Sequence, residues 1–186
     1  MRADQPNGLT LAFRYRQCFM TEPHKSLTLF YSWQSDLPAN TNRGFIEKAL
    51  QTAIEEIAQD HKIKITIYQD SRESANPEAL SKVLGQIDHS AVFVADVTPV
   101  DKSRGHLLPN PNVMFELGYA MKSLGADRII AVHNDFFGDT RFLPFDLGFQ
   151  RQTTYNLSPE AELKSEERKP LAKQIASSLR TILSLT

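Results

Sequence analysis

The chain has 186 residues, of which 41% are hydrophobic and 23% charged, which is ordinary for a globular protein with its own core. Its net charge of −1 and the lack of a long basic run exclude strong electrostatic binding to nucleic acid or to a membrane surface. The single cysteine, Cys18, excludes an intrachain disulfide framework, and no apolar run is long enough to span a bilayer. We therefore expect a cytoplasmic protein.

Residues 1–24 are predicted to be an N-terminal extension to a domain that covers residues 25–186. Leu9 to Met20 mixes apolar and basic residues without a clean period, and Met1 to Gly8 lacks the apolar core of a signal peptide. The extension is interpreted either as a short amphipathic arm or as sequence upstream of a start at Met20.

From Ser26 onward, strand and helix patterns alternate. The apolar run from Leu27 to Tyr31 predicts a buried strand. Apolar residues then recur at helical spacing from Phe45 to Ile57, behind Thr41 or Asn42 as the N-cap.

A second strand and helix follow. Ile63 to Ile67 alternates apolar and polar residues, as a strand does, and Asp70 to Asn76 is a polar loop. Pro77 can open a helix, because proline fits the first helical position. The apolar face of this helix consists of Leu80, Val83, Leu84 and Ile87.

The third unit has the clearest pattern. Ala91 to Ala95 is continuously apolar, which predicts a central parallel strand covered on both faces. A loop that includes Asp101 to Gly105 leads to a helix from Pro111 to about Leu124. Asn110 is a good N-cap for this helix, and Gly125 ends it.

The remaining elements complete an alternating pattern. Ile129 to Val132 predicts a fourth strand, Thr153 to Leu157 a short fifth strand, and Pro170 the start of a last helix. Strands that alternate with helices indicate parallel βαβ units with right-handed crossovers. The predicted fold class is α/β, a flavodoxin-like three-layer sandwich with a four- or five-stranded parallel sheet.

Ligands of such folds bind outside the carboxyl ends of the strands. The candidate residues at these ends are Ser32, Trp33 and Asp36 after the first strand, Asp70 after the second and Asp96 after the third. Their hydroxyl, ring and carboxylate groups suit a ribose and a base or nicotinamide ring. The sequence contains no glycine-rich phosphate loop and no GxSxG turn, and its histidines show no metal-ligand spacing. We therefore expect neither a Rossmann dehydrogenase, a P-loop ATPase nor a metal site.

The third helix contains the main catalytic candidate, Glu116. Asn112 and Glu116 are i, i+4 neighbours and are predicted to share one face near the strand ends. Gly118 and Ala120 are small enough for close packing on the sheet. The predicted buried stripe is Val113, Leu117, Ala120, Met121 and Leu124.

Structural interpretations of the same residues remain open. A glutamate early in a helix is often only a partner of the helix dipole. Asp96 at a strand end is equally typical of a loop cap, and Trp33 of simple packing.

Longer segments resemble those of bacterial Toll/interleukin-1 receptor (TIR)-like proteins, over roughly residues 26–157. The segments that carry the resemblance are Tyr31–Pro38, Asn42–Leu50, Phe93–Thr98, Pro109–Ala120, Arg128–Ile130 and Leu143–Asp146. The ELGYA run that begins at Glu116 is also similar to nucleoside 2-deoxyribosyltransferases. The chain departs from the commonest TIR pattern, in which Trp-Cys precedes the glutamate, because Val113, Met114 and Phe115 occupy that stretch.

The resemblance implies an enzyme that hydrolyses the nicotinamide–ribose bond of NAD, with Glu116 as the catalytic glutamate and NAD as substrate rather than cofactor. Our hypothesis for the other candidates is that Asn110 and Asn112 orient the ribose or Glu116, and that Ser32, Trp33 and Asp36 line the nicotinamide side, with Trp33 as a stacking surface. Asp70 and Asp96 are further candidates for substrate binding, and either could supply a proton.

The resemblance also implies a bacterial anti-phage immune effector or signal producer that self-assembles on activation. The loop from Asp70 to Pro77 is expected to be mobile. A partner defence protein is a further expected interaction. The alternatives are a nucleoside or nucleotide N-glycosidase or deoxyribosyltransferase, and a non-catalytic TIR interaction module.

Overall fold

A computed structural model describes residues 25–69, 77–143 and 152–185 of the chain. The predicted extension over residues 1–24 lies outside the described residues, as do Asp70 and most of the predicted Asp70 to Pro77 loop. Within the described residues, no helix is long and apolar enough to cross a membrane.

The described residues contain a parallel sheet of five strands. In chain order its strands are β1 (Lys25–Ser32), β2 (Ile63–Tyr68), β3 (Val92–Asp96), β6 (Ile129–Asn134) and β7 (Gln152–Tyr155). They lie in the order β2-β1-β3-β6-β7, and every neighbouring pair is parallel. This arrangement confirms the predicted flavodoxin-like α/β fold.

Four helices cover the two faces of the sheet. They are α1 (Arg43–His61), α2 (Pro77–Asp88), α3 (Pro111–Leu124) and α4 (Lys164–Leu183). One core cluster packs α1 and α4 against one face, and the other packs α2 and α3 against the opposite face. The four residues of β3 that belong to the predicted apolar run are all buried, and so is Asp96 at its end.

The strand order places a topological switch point between β1 and β3. The chain leaves β1 through α1, on one face, and enters β3 from α2, on the other face. Ser32, the last residue of β1, pairs in register with Ala95, so that the residues after both strands emerge side by side. In open α/β sheets the crevice at such a point is the usual place for a ligand.

A two-stranded hairpin follows β3, where the sequence predicted a loop at Asp101 to Gly105. Its strands are β4 (Pro99–Ser103) and β5 (His106–Pro109). The turn residues Arg104 and Gly105 have φ values of 49° and 87°, which suits the tight turns that join antiparallel strands. Residues 101–103 of β4 are polar and exposed, and for this reason the sequence did not indicate a strand.

Two predictions about helices were wrong. Helix α4 begins at Lys164, and Pro170 lies inside it rather than at its start. The acidic first turn, with Glu166 and Glu167, favours a helix N-terminus there. Pro170 lies on the exposed side of α4, and the helix continues past it.

The second wrong prediction concerns the buried face of α3. Its buried residues are Val113, Glu116, Leu117 and Ala120. Met121, predicted to be buried, is 37% exposed, and Gly118, predicted to pack on the sheet, is also exposed. Five residues at the helical period place Gly118 about 140° around the axis from Val113. Gly118 therefore faces away from the sheet, and an added Cβ there would meet no neighbour.

Candidate functional site

Glu116 lies at the carboxyl edge of the sheet, beside the end of β1. Its side chain is buried, with 6% exposure, and its Oε2 accepts a hydrogen bond of 2.5 Å from the Ser32 hydroxyl. Ser32 itself is 1% exposed. Burial removes most of the water that could replace this hydrogen bond, so the bond from Ser32 fixes the orientation of the Glu116 carboxylate.

Asn110 determines where helix α3 begins. Its side-chain Oδ1 accepts hydrogen bonds from the backbone N–H groups of Asn112 (2.9 Å) and Val113 (3.2 Å), and Pro111 follows at the first helical position. This is the N-cap that the sequence predicted. The cap sets the phase of the helix and so turns Glu116 toward Ser32.

The loop after β1 is fastened to this cap. Asn110 Nδ2 donates a 2.6 Å hydrogen bond to Asp36 Oδ2, while Asn110 Oδ1 serves the helix. Asp36 is exposed, and Asn110 is 7% exposed. One amide thus joins the β1 loop to the helix that contains Glu116.

Asp96, at the end of β3, lies beneath this loop and is fully buried. Its carboxylate accepts hydrogen bonds from Gln34 Nε2 (3.3 Å), Asn42 Nδ2 (3.2 Å to Oδ2) and the Thr98 backbone N–H (3.1 Å). Burial raises the pKa of Asp96, and the hydrogen bonds from Thr98, Asn42 and Gln34 oppose that rise. Asp96 therefore connects β3 to the β1 loop and to the start of α1.

The partners of Asp96 were missed as site residues by the sequence interpretation. Asn42 sits at the N-cap of α1 as expected, but its side chain makes no capping bond and turns to Asp96 instead. Gln34 Oε1 accepts from the Leu37 backbone N–H, which folds the loop back on itself. The only signal in the sequence was the density of amide and hydroxyl side chains between residues 32 and 42.

The polar contacts extend to the far side of the sheet. Thr98 Oγ1 accepts a 3.0 Å hydrogen bond from the backbone N–H of Asn134, at the end of β6. The Asn134 side chain bonds both the N–H and the C=O of Leu157, just after β7. The carboxyl ends of β3 and β6 and the segment after β7 are thereby tied together.

Trp33, the residue after β1, packs into the core cluster on the α1 side of the sheet, whereas Ser32 contacts α3 on the other side. Its side chain is 5% exposed, and the guanidinium carbon of Arg43 lies 3.5 Å from the ring centroid. This is a cation–π contact between the end of β1 and the first residue of α1. Arg43 was not among the predicted site residues.

The structure thus forms two hydrogen-bonded pairs, Ser32 with Glu116 and Asp36 with Asn110, and the first two turns of α3 join them into one group. Asp96 is buried below the group, and Trp33 adjoins it from the α1 face. Asn112 is exposed, although it shares the α3 helix with the buried Glu116. In the described parts of the chain no group of histidine, cysteine, aspartate and glutamate could hold a metal ion.

Comparison with known proteins identifies one protein family. The family model for "CAP12/Pycsar effector protein, TIR domain" matches residues 43–148. No curated protein with which the chain was compared matches it.

Similar solved structures include a 2-desoxiribosyltransferase from Leishmania mexicana, with 18% identity and a TM-score of 0.39, over 59% of this chain and 65% of that one. A flavo di-iron protein mutant from Thermotoga maritima has 14% identity and a TM-score of 0.48, over 83% of this chain and 35% of its own. A flavodiiron core from Synechocystis has 14% identity and a TM-score of 0.41, over 84% and 36%. The chain therefore spans less than two thirds of each of these proteins.

Proposed function

Because the chain belongs to the family of CAP12/Pycsar effector TIR domains, we propose that it is a TIR-type NAD glycohydrolase, which cleaves the nicotinamide–ribose bond of NAD. The observation that carries the proposal is the buried Glu116 carboxylate, bonded to Ser32 at the switch point of the sheet. In this proposal Glu116 is the catalytic residue.

The chemistry suits a single oriented carboxylate. Cleavage of an N-glycosidic bond passes through an oxocarbenium-like state with positive charge on the sugar. A carboxylate that is already fixed and shielded from water can stabilise that charge without reorganising. Glu116, oriented by Ser32, would hold the ribose hydroxyls and face the developing cation.

The surroundings of Asp96 favour NAD over a purine deoxynucleoside as the substrate. The nicotinamide of NAD is already cationic and leaves as a neutral molecule, so its departure needs no protonation. A purine base benefits from a general acid as it leaves. Asp96 does not suit that role, because it is 0% exposed and its oxygens accept three sets of protein hydrogen bonds.

The remaining predicted residues have supporting roles in this proposal. Asn110 and Asp36 fix the β1 loop against α3, and Asp96 supports that loop from below. The exposed Asn112 lies one turn before Glu116, where it can meet the part of the substrate nearest solvent. Asp70, outside the described residues, remains a predicted substrate contact.

Membership of this family supports a proposal for the biological role. We propose that the protein acts as an anti-phage immune effector in the bacterial cytoplasm, and that it depletes NAD or makes a signalling derivative when activated. We also expect activity to require self-assembly, with a partner defence protein as one route to activation. Enzyme assays should therefore cover a series of protein concentrations.

The test compares wild-type protein with Glu116→Gln. Glutamine preserves the shape and can still accept from Ser32, so the fold should survive while NAD cleavage falls by about 100-fold or more. The matched control is Glu78→Gln, an exposed glutamate in the first turn of α2 at the same edge of the sheet, which should cleave NAD like wild type. Chromatography of nicotinamide and ADP-ribose products gives the measurement.

The same assay separates the alternatives. If Glu116→Gln cleaves NAD as fast as wild type, the assignment of Glu116 fails. Consumption of deoxynucleosides instead of NAD would identify an N-glycosidase or deoxyribosyltransferase. No turnover of either substrate at any protein concentration would identify an interaction module.

A further inference from the structure

Arg43 is a cation whose side-chain contact is with a ring rather than with a carboxylate. Its guanidinium carbon lies 3.5 Å from the centroid of the Trp33 ring, and the residue is partly exposed. Among the residues that the structure describes, no carboxylate lies within ion-pair distance of Arg43. A guanidinium in this state keeps its in-plane N–H donors available for an anion.

Strand β1 fixes the position of Arg43 from two sides. Tyr31 and Trp33 are two residues apart and so project from the same face of the chain. The Tyr31 hydroxyl donates a 3.3 Å hydrogen bond to the backbone carbonyl of Arg43, while Trp33 supports its side chain. Burial raises the pKa of Tyr31 well above its ordinary value, so its hydroxyl keeps this hydrogen bond at alkaline pH as well as at neutral pH.

The nearest expected partner of Arg43 is occupied elsewhere. Glu47 is four residues further along α1, a spacing that commonly forms an ion pair. Its Oε1 instead accepts a 3.2 Å hydrogen bond from Gln69 Nε2, at the end of β2. The first-turn N–H groups of Gly44 and Phe45 are taken by the carbonyl of Ala39. An anion here would therefore be bound by the Arg43 side chain and not by the helix terminus.

We infer that Arg43, supported by the Trp33 ring, binds the diphosphate of a dinucleotide substrate. The inference rests on the proposed function and deepens it by assigning the residue that binds the diphosphate of the substrate. A flat guanidinium can offer two parallel N–H donors to phosphate oxygens. Trp33 then serves as a platform for Arg43, and its ring face is not free to stack on nicotinamide.

The residues that position the two substrate contacts are consecutive: Ser32 is the last residue of β1, and Trp33 follows it. Ser32 contacts Glu116 on the α3 face, and Trp33 contacts Arg43 on the α1 face. A ligand at the carboxyl end of β1 can thus reach Glu116 with its ribose and Arg43 with its diphosphate. Nucleosides without phosphate would make no use of Arg43, and so the protein should discriminate against them.

The single tryptophan of the chain allows a direct test. Wild-type protein is titrated with ADP-ribose, which contains the diphosphate but no bond to cleave, and with adenosine, which lacks the diphosphate. Trp33 fluorescence is the readout, and calorimetry checks the affinities. Arg43→Gln should weaken ADP-ribose binding by roughly 10- to 100-fold and leave adenosine binding unchanged.

Two further variants complete the experiment. Arg43→Lys keeps the charge without the planar fork and should bind ADP-ribose with intermediate affinity. Arg128→Gln removes an exposed arginine from just before β6, at the opposite edge of the sheet, and should bind like wild type. Urea unfolding of each variant shows that the fold is retained.

The outcomes separate this inference from the proposed function. Equal ADP-ribose affinity in wild type and Arg43→Gln would overturn the diphosphate assignment, as would equal losses for ADP-ribose and adenosine. No binding of ADP-ribose to wild type would also overturn it. Arg43-dependent binding of ADP-ribose without any NAD cleavage would support the binding site and contradict the glycohydrolase activity.

Discussion

Two acidic side chains are buried at the same edge of the sheet, and their surroundings give them different properties. Glu116 has a hydroxyl donor, Ser32, and lies 6% exposed beside the end of β1. Asp96 is fully buried and receives donors from three separate segments of the chain. The full burial of Asp96 suits a residue that fixes a loop, whereas the residual exposure of Glu116 allows its carboxylate to contact a substrate.

We expect Asp96→Ala to lower the free energy of unfolding by about 2–4 kcal/mol, because the amides of Gln34 and Asn42 would lose their acceptor inside the protein. Urea unfolding monitored by circular dichroism measures the change. Asp88→Ala is the control, since Asp88 accepts from the hydroxyls of Tyr119 and Ser123 at an exposed position and should shift the urea midpoint far less than Asp96→Ala does. Equal midpoints for wild type and Asp96→Ala would contradict the anchoring role of Asp96.

At the level of residues, local signals were predictable and contacts distant in sequence were not. Asn110 and Pro111 are a helix start that spacing alone reveals, and they place Glu116 in the second turn. The contact between Asn42 and Asp96 joins residues 54 apart and depends on strand order. The Arg43–Trp33 contact likewise requires α1 to return over the end of β1.

At the level of elements, β1 is the strand that joins the proposed chemistry to binding. Side chains at its carboxyl end alternate between the two faces. Ser32 contacts the α3 side, while Tyr31 and Trp33, the residue after the strand, contact the α1 side. The alternation was visible in the sequence. The hairpin of β4 and β5 was not, since its exposed charged residues lack the apolar period of a strand.

Pro170 provides a test of where α4 begins. If the helix starts at Lys164, Pro170 removes the hydrogen bond to the carbonyl of Glu166 and crowds it. Pro170→Ala should then raise the free energy of unfolding by about 1–3 kcal/mol. Because Pro170 is exposed, its replacement by alanine introduces no clash with the core.

The sign of this change decides between two helix starts. With a start at Pro170 itself, alanine would gain no hydrogen bond and would only enlarge the freedom of the unfolded chain, which lowers stability by about 0.4–1 kcal/mol. Urea unfolding of wild type and Pro170→Ala provides the comparison. A stability decrease in the variant would show that the sequence-based start was correct.

At the scale of the whole molecule, hydroxyl and amide contacts join the ends of the parallel strands to α1. Tyr155, in β7, donates a 2.6 Å hydrogen bond to the carbonyl of Thr41, just before α1, while its ring stacks on Phe45. Tyr31 donates to the carbonyl of Arg43. Together with Asp96 and Asn42, these contacts connect β1, β3 and β7 at the site edge. The fold class was predictable from the alternation of strand and helix patterns, but these contacts form only in the assembled sheet.

The tyrosine contacts predict a loss of stability at alkaline pH. Burial raises the pKa of Tyr31 and of Tyr155 well above 10, and the nearby Asp96 charge raises both further. Below pH 10 both hydroxyls are protonated in the folded and unfolded states, so their contribution is complete. Above pH 10 the unfolded chain releases these protons first, and the folded state loses about 1.4 kcal/mol per pH unit for each tyrosine.

Urea unfolding between pH 8 and about pH 11 tests this linkage. Tyr31→Phe and Tyr155→Phe should each flatten the alkaline decline, because each removes one proton that only the folded state retains. Tyr68→Phe is the control, since Tyr68 is 41% exposed at the end of β2 and should keep the slope of the wild type. The same slope in all four proteins would mean that the hydroxyls of Tyr31 and Tyr155 titrate at the same pH as free tyrosine. It would also mean that water reaches these hydroxyls in the folded protein.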